Sequence, residues 1–249
     1  PRMAVCALPH LEPQPIDAAR AAEQHPAYEQ ALADAGYDLI RLPDLAEDPD
    51  AVFVEDTAIL LGEHAIITRP GAASRFEEIH STAEGLEPYF TVHRLGSGTL
   101  DGGDVLKIGK TLYVGQSNRT DIEGTKALAA IAASLGYRSI PVDLGRCLHL
   151  KTAVTFAGPD RDGRPTLLGN PEWVDPANFG DMASITVATD EPFAANVVRL
   201  HDRLIMAAGS PQTAAKLRDR GFHVVQVDVS GLQRAEAGGT CMGLIWGWG

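Results

Sequence analysis

The chain has 249 residues, is 45% hydrophobic and carries a formal net charge of −12. That length suits one domain with a sizeable core, and the acidic balance disfavours nucleic acid as a partner. No uninterrupted apolar run approaches a membrane span, and three cysteines, an odd number, argue against a disulfide framework and for a reducing compartment, expected to be the cytoplasm.

The first elements expected are a strand over Met3–Ala7, a Pro-rich surface loop from Pro9 to Pro15, a helix over Asp17–Ala35 and a strand over Asp38–Leu42. No secretory leader is expected, because Arg2 is not followed by a long apolar stretch. A hairpin follows, Thr57–Leu61 and Ala65–Thr68 around Gly62-Glu63-His64. Helical spacing covers Ala72–Leu86, and Thr91–Leu95 reads as a strand. The next unit repeats the order: a hairpin of Val105–Ile108 and Leu112–Val114, a helix over Thr120–Leu135 stopped by Gly136, and a strand over Ser139–Val142. The third hairpin, Lys151 to Leu168, has a longer turn and is followed by a strand over Ile185–Ala188. The fourth has strands Val197–Leu200 and Leu204–Met206, a helix over Pro211–Arg220 stopped by Gly221, and a strand over Val224–Val227. A last β-like run covers Met242–Trp246.

Polar residues mark this repeat. Asp56, Asp101, His149, Asn196 and Cys241 are separated by 45, 48, 47 and 45 positions, an interval typical of propellers and solenoids. The fifth unit is split between the two ends of the chain. Pairing the last strand with the first closes a ring and removes two sheet edges. The expected fold is therefore an α/β five-bladed propeller of ββαβ units, one domain over residues 1–249 with pseudo-fivefold symmetry. The hairpins disfavour the rival, an open doubly wound sheet, because parallel strands need helical crossovers.

The same residues carry the chemistry. Cys241 follows Gly238-Gly239-Thr240, where glycines allow close backbone approach to a nucleophile; its plain reading is a small buried hydrophobe. His149 lies in an apolar segment, where histidines are ordinarily core residues, but an imidazole in reach of a thiol favours the thiolate and can shuttle a proton. No zinc spacing is matched by Cys147, His149 and Cys241. Asp101 and Asp104 flank Gly102-Gly103, either an ordinary turn or a site where one acid orients His149 or holds a cationic substrate and the glycines let backbone and ligand meet. Asp50, Glu55 and Asp56 suit bidentate bonds to a guanidinium. Arg75 and Arg119 suit either surface pairs or a clamp on a carboxylate.

Together these segments resemble the dimethylarginine dimethylaminohydrolases of the guanidino-group-modifying (pentein) superfamily. The matching stretches are Asp50-Ala51-Val52-Phe53-Val54-Glu55-Asp56-Thr57, Ile66 to Arg75, Gly98 to Val105, Leu148-His149-Leu150-Lys151-Thr152 and Ala194-Ala195-Asn196. The resemblance runs from Gln24 onward. It implies a five-bladed α/β-propeller and a hydrolase that turns N-methylated arginine into citrulline and a methylamine through a covalent thiouronium. The same chemistry on arginine or another guanidine, and a non-catalytic ligand-binding propeller, are the alternatives.

By the same resemblance Cys241 is the nucleophile, His149 the general acid/base and Asp101 the triad acid. Asp50, Glu55 and Asp56 contact the amine and guanidinium, Arg75 and Arg119 the carboxylate, and the Ala235 backbone the substrate. No metal or organic cofactor is needed. The expected partner is a small-molecule substrate, without nucleic acid or membrane, and a homodimer is compatible with this reading. The stretch from Pro9 to His25 is shorter than the family's lid loop. Cys6-Ala7 stands where the family has an arginine, and Ala235 to Thr240 departs from its pattern before the nucleophile.

Overall fold

The computed structural model describes residues 17–233 and 238–247. Four three-stranded sheets share one plan. Each is an antiparallel hairpin whose second strand also pairs, in parallel, with a third strand. In the first, β1 (Ala58–Leu61) pairs with β2 (His64–Ile67), and β2 pairs with β3 (Thr91–Arg94) in the register His64 to Thr91. The second is β4 (Val105–Ile108), β5 (Thr111–Gln116) and β6 (Arg138–Asp143). The third is β7 (Val154–Pro159), β8 (Pro165–Gly169) and β9 (Ala183–Thr186), with a bulge between Phe156 and Gly158. The fourth is β10 (Val198–Leu200), β11 (Arg203–Ala207) and β12 (His223–Val227).

Burial explains the strand composition. β1 and most of β2 are buried, and both are continuous apolar runs, as strands covered on two faces must be. β3 is half exposed and reads Thr-Val-His-Arg. The same gradient runs from β4 and β5 to β6. The tight turns need the left-handed region: Gly62 and Gly109 have φ of 63° and 56°. His201 does the same work in the fourth hairpin at φ 37°, as a side chain that rarely adopts it.

Helices α2 (Glu78–Leu86), α3 (Ile122–Ser134) and α5 (Pro211–Asp219) link the second and third strands of their sheets. α3 is capped by Asp121, which accepts from the Gly124 N–H at 2.7 Å. The first of these helices starts later than its periodicity suggests, because Ala73–Arg75 form a separate 3-10 turn. The third sheet has only the 3-10 turn Pro176–Phe179 in this place. Helix α1 (Ala18–Asp34) is capped by Asp17.

The split fifth unit departs from expectation. Asp38–Leu42 and residues 243–246 form no ladder among the described residues. A strand is defined by its partner, and the expected partner of both, Met3–Ala7, lies outside the described residues, as does the Pro9–Pro15 loop.

Short turns stand just before the first strands of three hairpins, Val54–Thr57, Gly102–Asp104 and α4 (Leu150–Ala153), and a fourth turn, Gly239–Met242, leads into residues 243–246. Side chains tie each turn to the next. Asp56 Oδ1 accepts from the Gly103 N–H at 3.0 Å, and Asp104 Oδ1 accepts from the Leu150 N–H at 2.9 Å. Asn196 Nδ2 donates to the Lys151 carbonyl at 3.1 Å, and Asn196 Oδ1 accepts from the Thr240 N–H at 2.9 Å. Thr240 Oγ1 donates to Glu55 Oε2 at 2.7 Å, returning the circuit to the first turn.

Candidate active site

These linked turns collect the residues singled out in the sequence. Asp101 and His149 occupy the position just before their turns, as N-caps. Asp56 and Cys241 are the third residues of theirs. The near-fixed interval therefore merges two structural positions; the counterparts of Asp56 in the next units are Asp104 and Thr152. The two positions are one turn apart, so their side chains converge.

His149 Nε2 lies 3.0 Å from Asp101 Oδ2, and His149 Nδ1 lies 3.8 Å from Asp56 Oδ1. Asp101 is fully buried and its Oδ1 also accepts from the Gly71 N–H at 2.8 Å. Gly103 packs on the ring: a Cβ there would stand 2.7 Å from His149 Nδ1 and 2.7 Å from Asp56 Oδ1. Burial opposes a charge on His149. Asp56, the Asp101 hydrogen bond and Asp104 outweigh it, and the imidazole is pushed up to about 9. Asp104 is itself pushed up to about 6 by burial, despite accepting from Ser117 Oγ, Thr120 Oγ1 and the Leu150 N–H. That triple contact fixes the turn that carries His149.

Cys241 is buried, 7% exposed, and its sulfur accepts from the Gly238 N–H at 3.4 Å. Burial, then the charges of Glu55 and Asp56, push the thiol up to about 12; the Gly238 amide and Lys151 pull the other way. Asp56 thus acts on both the thiol and the imidazole. Burial and the nearby acids thus favour the neutral thiol at Cys241, while the acids around His149 favour its protonated ring. Tyr28 donates to the Gly239 carbonyl at 2.7 Å and braces the backbone beside the thiol.

Glu55 accepts from Lys151 Nζ at 2.5 Å and from Thr240 Oγ1 at 2.7 Å. Arg75, only 3% exposed, donates to Asp56 at 2.5 Å, to both oxygens of Glu78, and to the carbonyls of Phe53 and Asp50. Its guanidinium is engaged inside the protein, on Asp56, rather than presented to a cavity. Arg119, 8% exposed, lies 3.8 Å from Asp101. Asp50 is buried on the same side, under the Arg75 guanidinium. Ala235 lies outside the described residues.

Ligand atoms of Asp56, Asp101 and His149 come within 4.8 Å of one another, close enough to surround a small cation. The group fits a proton better than a metal. Both acids already hold donors, the Arg75 and Arg119 guanidiniums flank them, and the acids favour protonated His149.

The sequence alone gives no role to Glu78, Thr240 and Lys151, and Gly103, expected to let backbone and ligand meet, packs instead on the His149 ring. Glu78 follows Arg75 by three residues, a spacing that signals a pair. Lys151 and Thr240 flank assigned residues but carry no signal that they meet. A cavity of about 760 Å³ lies elsewhere, between α1, residues 37–45, α2 and residues 242–247. It contains neither His149 nor Asp101 and is not a site for their chemistry.

No family model matches the chain. It is 36% identical to the N(G),N(G)-dimethylarginine dimethylaminohydrolase of Pseudomonas aeruginosa over 231 residues, 92% of this chain and 89% of that one. It is 39% identical to the enzyme of that name from Streptomyces coelicolor, over 97% of this chain and 92% of that one. It superimposes on a cysteine-to-serine mutant of the Pseudomonas aeruginosa enzyme complexed with citrulline, with a TM-score of 0.90 and 34% identity over 97% of this chain and 93% of that one. The chain belongs to the dimethylarginine dimethylaminohydrolase family.

Proposed function

We infer that this protein hydrolyses the guanidino group of N-methylated arginine, releasing citrulline and a methylamine. The observation that carries this reading is the buried His149–Asp101 pair sharing Asp56 with the thiol of Cys241. Such a centre is suited to a cation: Glu55, Asp56 and Asp101 supply negative charge, and the nucleophile is neutral until charge arrives.

The steps follow from that electrostatics. A guanidinium beside Cys241 offsets Glu55 and Asp56 and lowers the thiol toward ionisation. The thiol gives its proton to solvent, and the thiolate attacks the guanidinium carbon. A C–S bond forms, His149 gives its proton to the departing amine, and the C–N bond breaks, leaving a thiouronium on Cys241. Water then loses a proton to His149 and attacks the same carbon. The hydroxyl proton of the adduct passes to sulfur as the C–S bond breaks, so citrulline leaves with its carbonyl formed, Cys241 is again a thiol and His149 is again protonated. Splitting the reaction into two steps is what covalent catalysis provides.

Asp101 orients His149 and balances its charge. Glu55, Asp56 and Asp50 form the acidic wall for the guanidinium. Arg119, at the edge of this group, is the carboxylate contact that the geometry supports. Arg75 holds Asp56 in this resting arrangement, and its expected contact with the substrate carboxylate requires it to release that bond. A free catalytic thiol is compatible with a reducing compartment such as the cytoplasm. The hydrogen-bonded circuit of turns supports a single five-bladed propeller domain, closed by pairing of the terminal strands.

The test is incubation with dimethylarginine, monomethylarginine and arginine, with citrulline read by colour and amine by chromatography. Citrulline from the methylated forms, absent with Cys241→Ser, is the expected result. Turnover of arginine alone moves the substrate assignment, and no turnover of any guanidine overturns the reading.

A further inference from the structure

Four residues next to the nucleophile close a loop of hydrogen bonds. Lys151 Nζ donates to Glu55 Oε1, Thr240 Oγ1 donates to Glu55 Oε2, Asn196 Nδ2 donates to Thr240 Oγ1 at 3.0 Å, and the same Nδ2 donates to the Lys151 carbonyl at 3.1 Å. Gly238 has no side chain for a reason of the same kind: a Cβ there would stand 2.0 Å from Asn196 Cγ. The loop thus spans three different turns and is packed tightly against the segment that carries Cys241.

A lysine is out of place in a pocket that receives a cation unless it serves an acid. We propose that Lys151 is a positioning residue: it keeps Glu55 ionised and turned so that the carboxylate stays an acceptor for the guanidinium beside Cys241. This rests on the reading of the site given above.

Glu55 is faced by Lys151, Thr240, Asp56, Cys241 and Tyr28. Burial pushes its carboxyl up, and Asp56 pushes the same way; Lys151 is the strongest influence holding it down, followed by Thr240. Cys241 and Tyr28 are neutral at rest, since Glu55 and burial push both up. Among the described residues, Lys151 is therefore the cation that opposes protonation of Glu55 directly. Removing it lets the carboxyl rise further, so the variant loses its anionic acceptor as pH falls and regains it as pH rises.

Two measurements on the full chain decide this. In the first, Cys241 is alkylated between pH 5.5 and 8 with a cationic haloacetamidine and with neutral iodoacetamide. The wild-type preference for the cation changes by less than about twofold, whereas that of Lys151→Met rises by about tenfold or more with pH, the effect of one pKa unit. Lys151→Arg, which keeps the charge, behaves as wild type. In the second, the acid limb of kcat/KM for dimethylarginine moves up by about one pH unit in Lys151→Met.

A Lys151→Met preference as flat as that of wild type overturns the proposal, as does a loss equal at every pH, which is the mark of a merely structural ion pair. If Lys151→Met fails to fold, Thr240→Val removes the second donor to Glu55 and must shift both readouts in the same direction; no shift overturns the proposal. The alkylation experiment needs no turnover, so it decides the role of Lys151 even if no guanidine is hydrolysed.

Discussion

His149 is gripped through Nε2 by Asp101 at 3.0 Å, which leaves Nδ1 facing Asp56 at 3.8 Å. The imidazole is thus held from one side by an acid that orients it and approached from the other by an acid it shares with the thiol. This arrangement decides how the site responds to pH, substitution and ligand.

The thiol is the first point of test. Cys241→Ser keeps the size of the side chain and the Gly238 contact but loses the nucleophile. Hydrolysis falls by at least about 10³-fold, as expected when a covalent nucleophile is removed. Dimethylarginine binding, measured by calorimetry, persists. Loss of binding together with turnover assigns Cys241 to structure instead.

The pH profile follows from His149. Its folded value, about 9, lies above the ordinary histidine value of about 6.5. The protonated ring supplies the proton to the departing amine, so kcat falls as pH rises through about 9. Stability follows the same sign. A raised folded value contributes stability that is fully present below about 6.5 and is lost as pH rises through about 9. Thermal melts from pH 6 to 10 show this loss in wild type and a flatter profile in His149→Asn. The same variant lowers the rate by ~10²–10⁴-fold.

Gly103→Ala tests packing on the ring. The new Cβ meets His149 Nδ1 and Asp56 Oδ1 at 2.7 Å, and neither can retreat without losing its partners. We expect a stability loss of about 1–3 kcal/mol from overpacking and a larger relative loss of kcat than of binding. Urea unfolding with parallel kinetics reads both.

Arg75 is a buried ion with three acceptors in addition to Glu78. Arg75→Ala leaves Asp56 and Glu78 as uncompensated buried acids and costs about 3–5 kcal/mol in chemical denaturation. Arg75→Lys keeps the charge but not the fork that reaches Asp56, Glu78 and two carbonyls at once. It is expected to fold with reduced stability and with the His149 alkaline limb shifted, since Asp56 is then held differently.

Much of this site was legible in the sequence because apolar runs, turn glycines and polar residues recurred together. The strands of four sheets and helices α1, α3 and α5 fall close to where periodicity places them, and Asp101, His149 and Asp56 meet as the repeat suggests. The interval did not separate a cap from the third residue of a turn, because a shift of three residues is small against a repeat of 45 to 48. Arg75 read as either a surface pair or a clamp on a carboxylate, and nothing local reports that Asp56 and two carbonyls lie within its reach. Lys151 and Thr240 meet at Glu55 across separations of 96 and 185 residues, a contact that exists only once the turns are gathered. The ββαβ plan expected a helix in the third unit as well, and the structure has only the 3-10 turn Pro176–Phe179 there, because Pro171, Pro176 and Gly180 interrupt any run of helical length.

The central claim is that Cys241 bonds to the guanidinium carbon with His149 moving the protons. Rapid quenching of the enzyme with dimethylarginine, followed by peptide mass spectrometry, tests it most directly. The account predicts an amidino adduct on Cys241 that forms before citrulline and accumulates when His149 is replaced by glycine. Citrulline production with an unmodified Cys241 at every time point would contradict it.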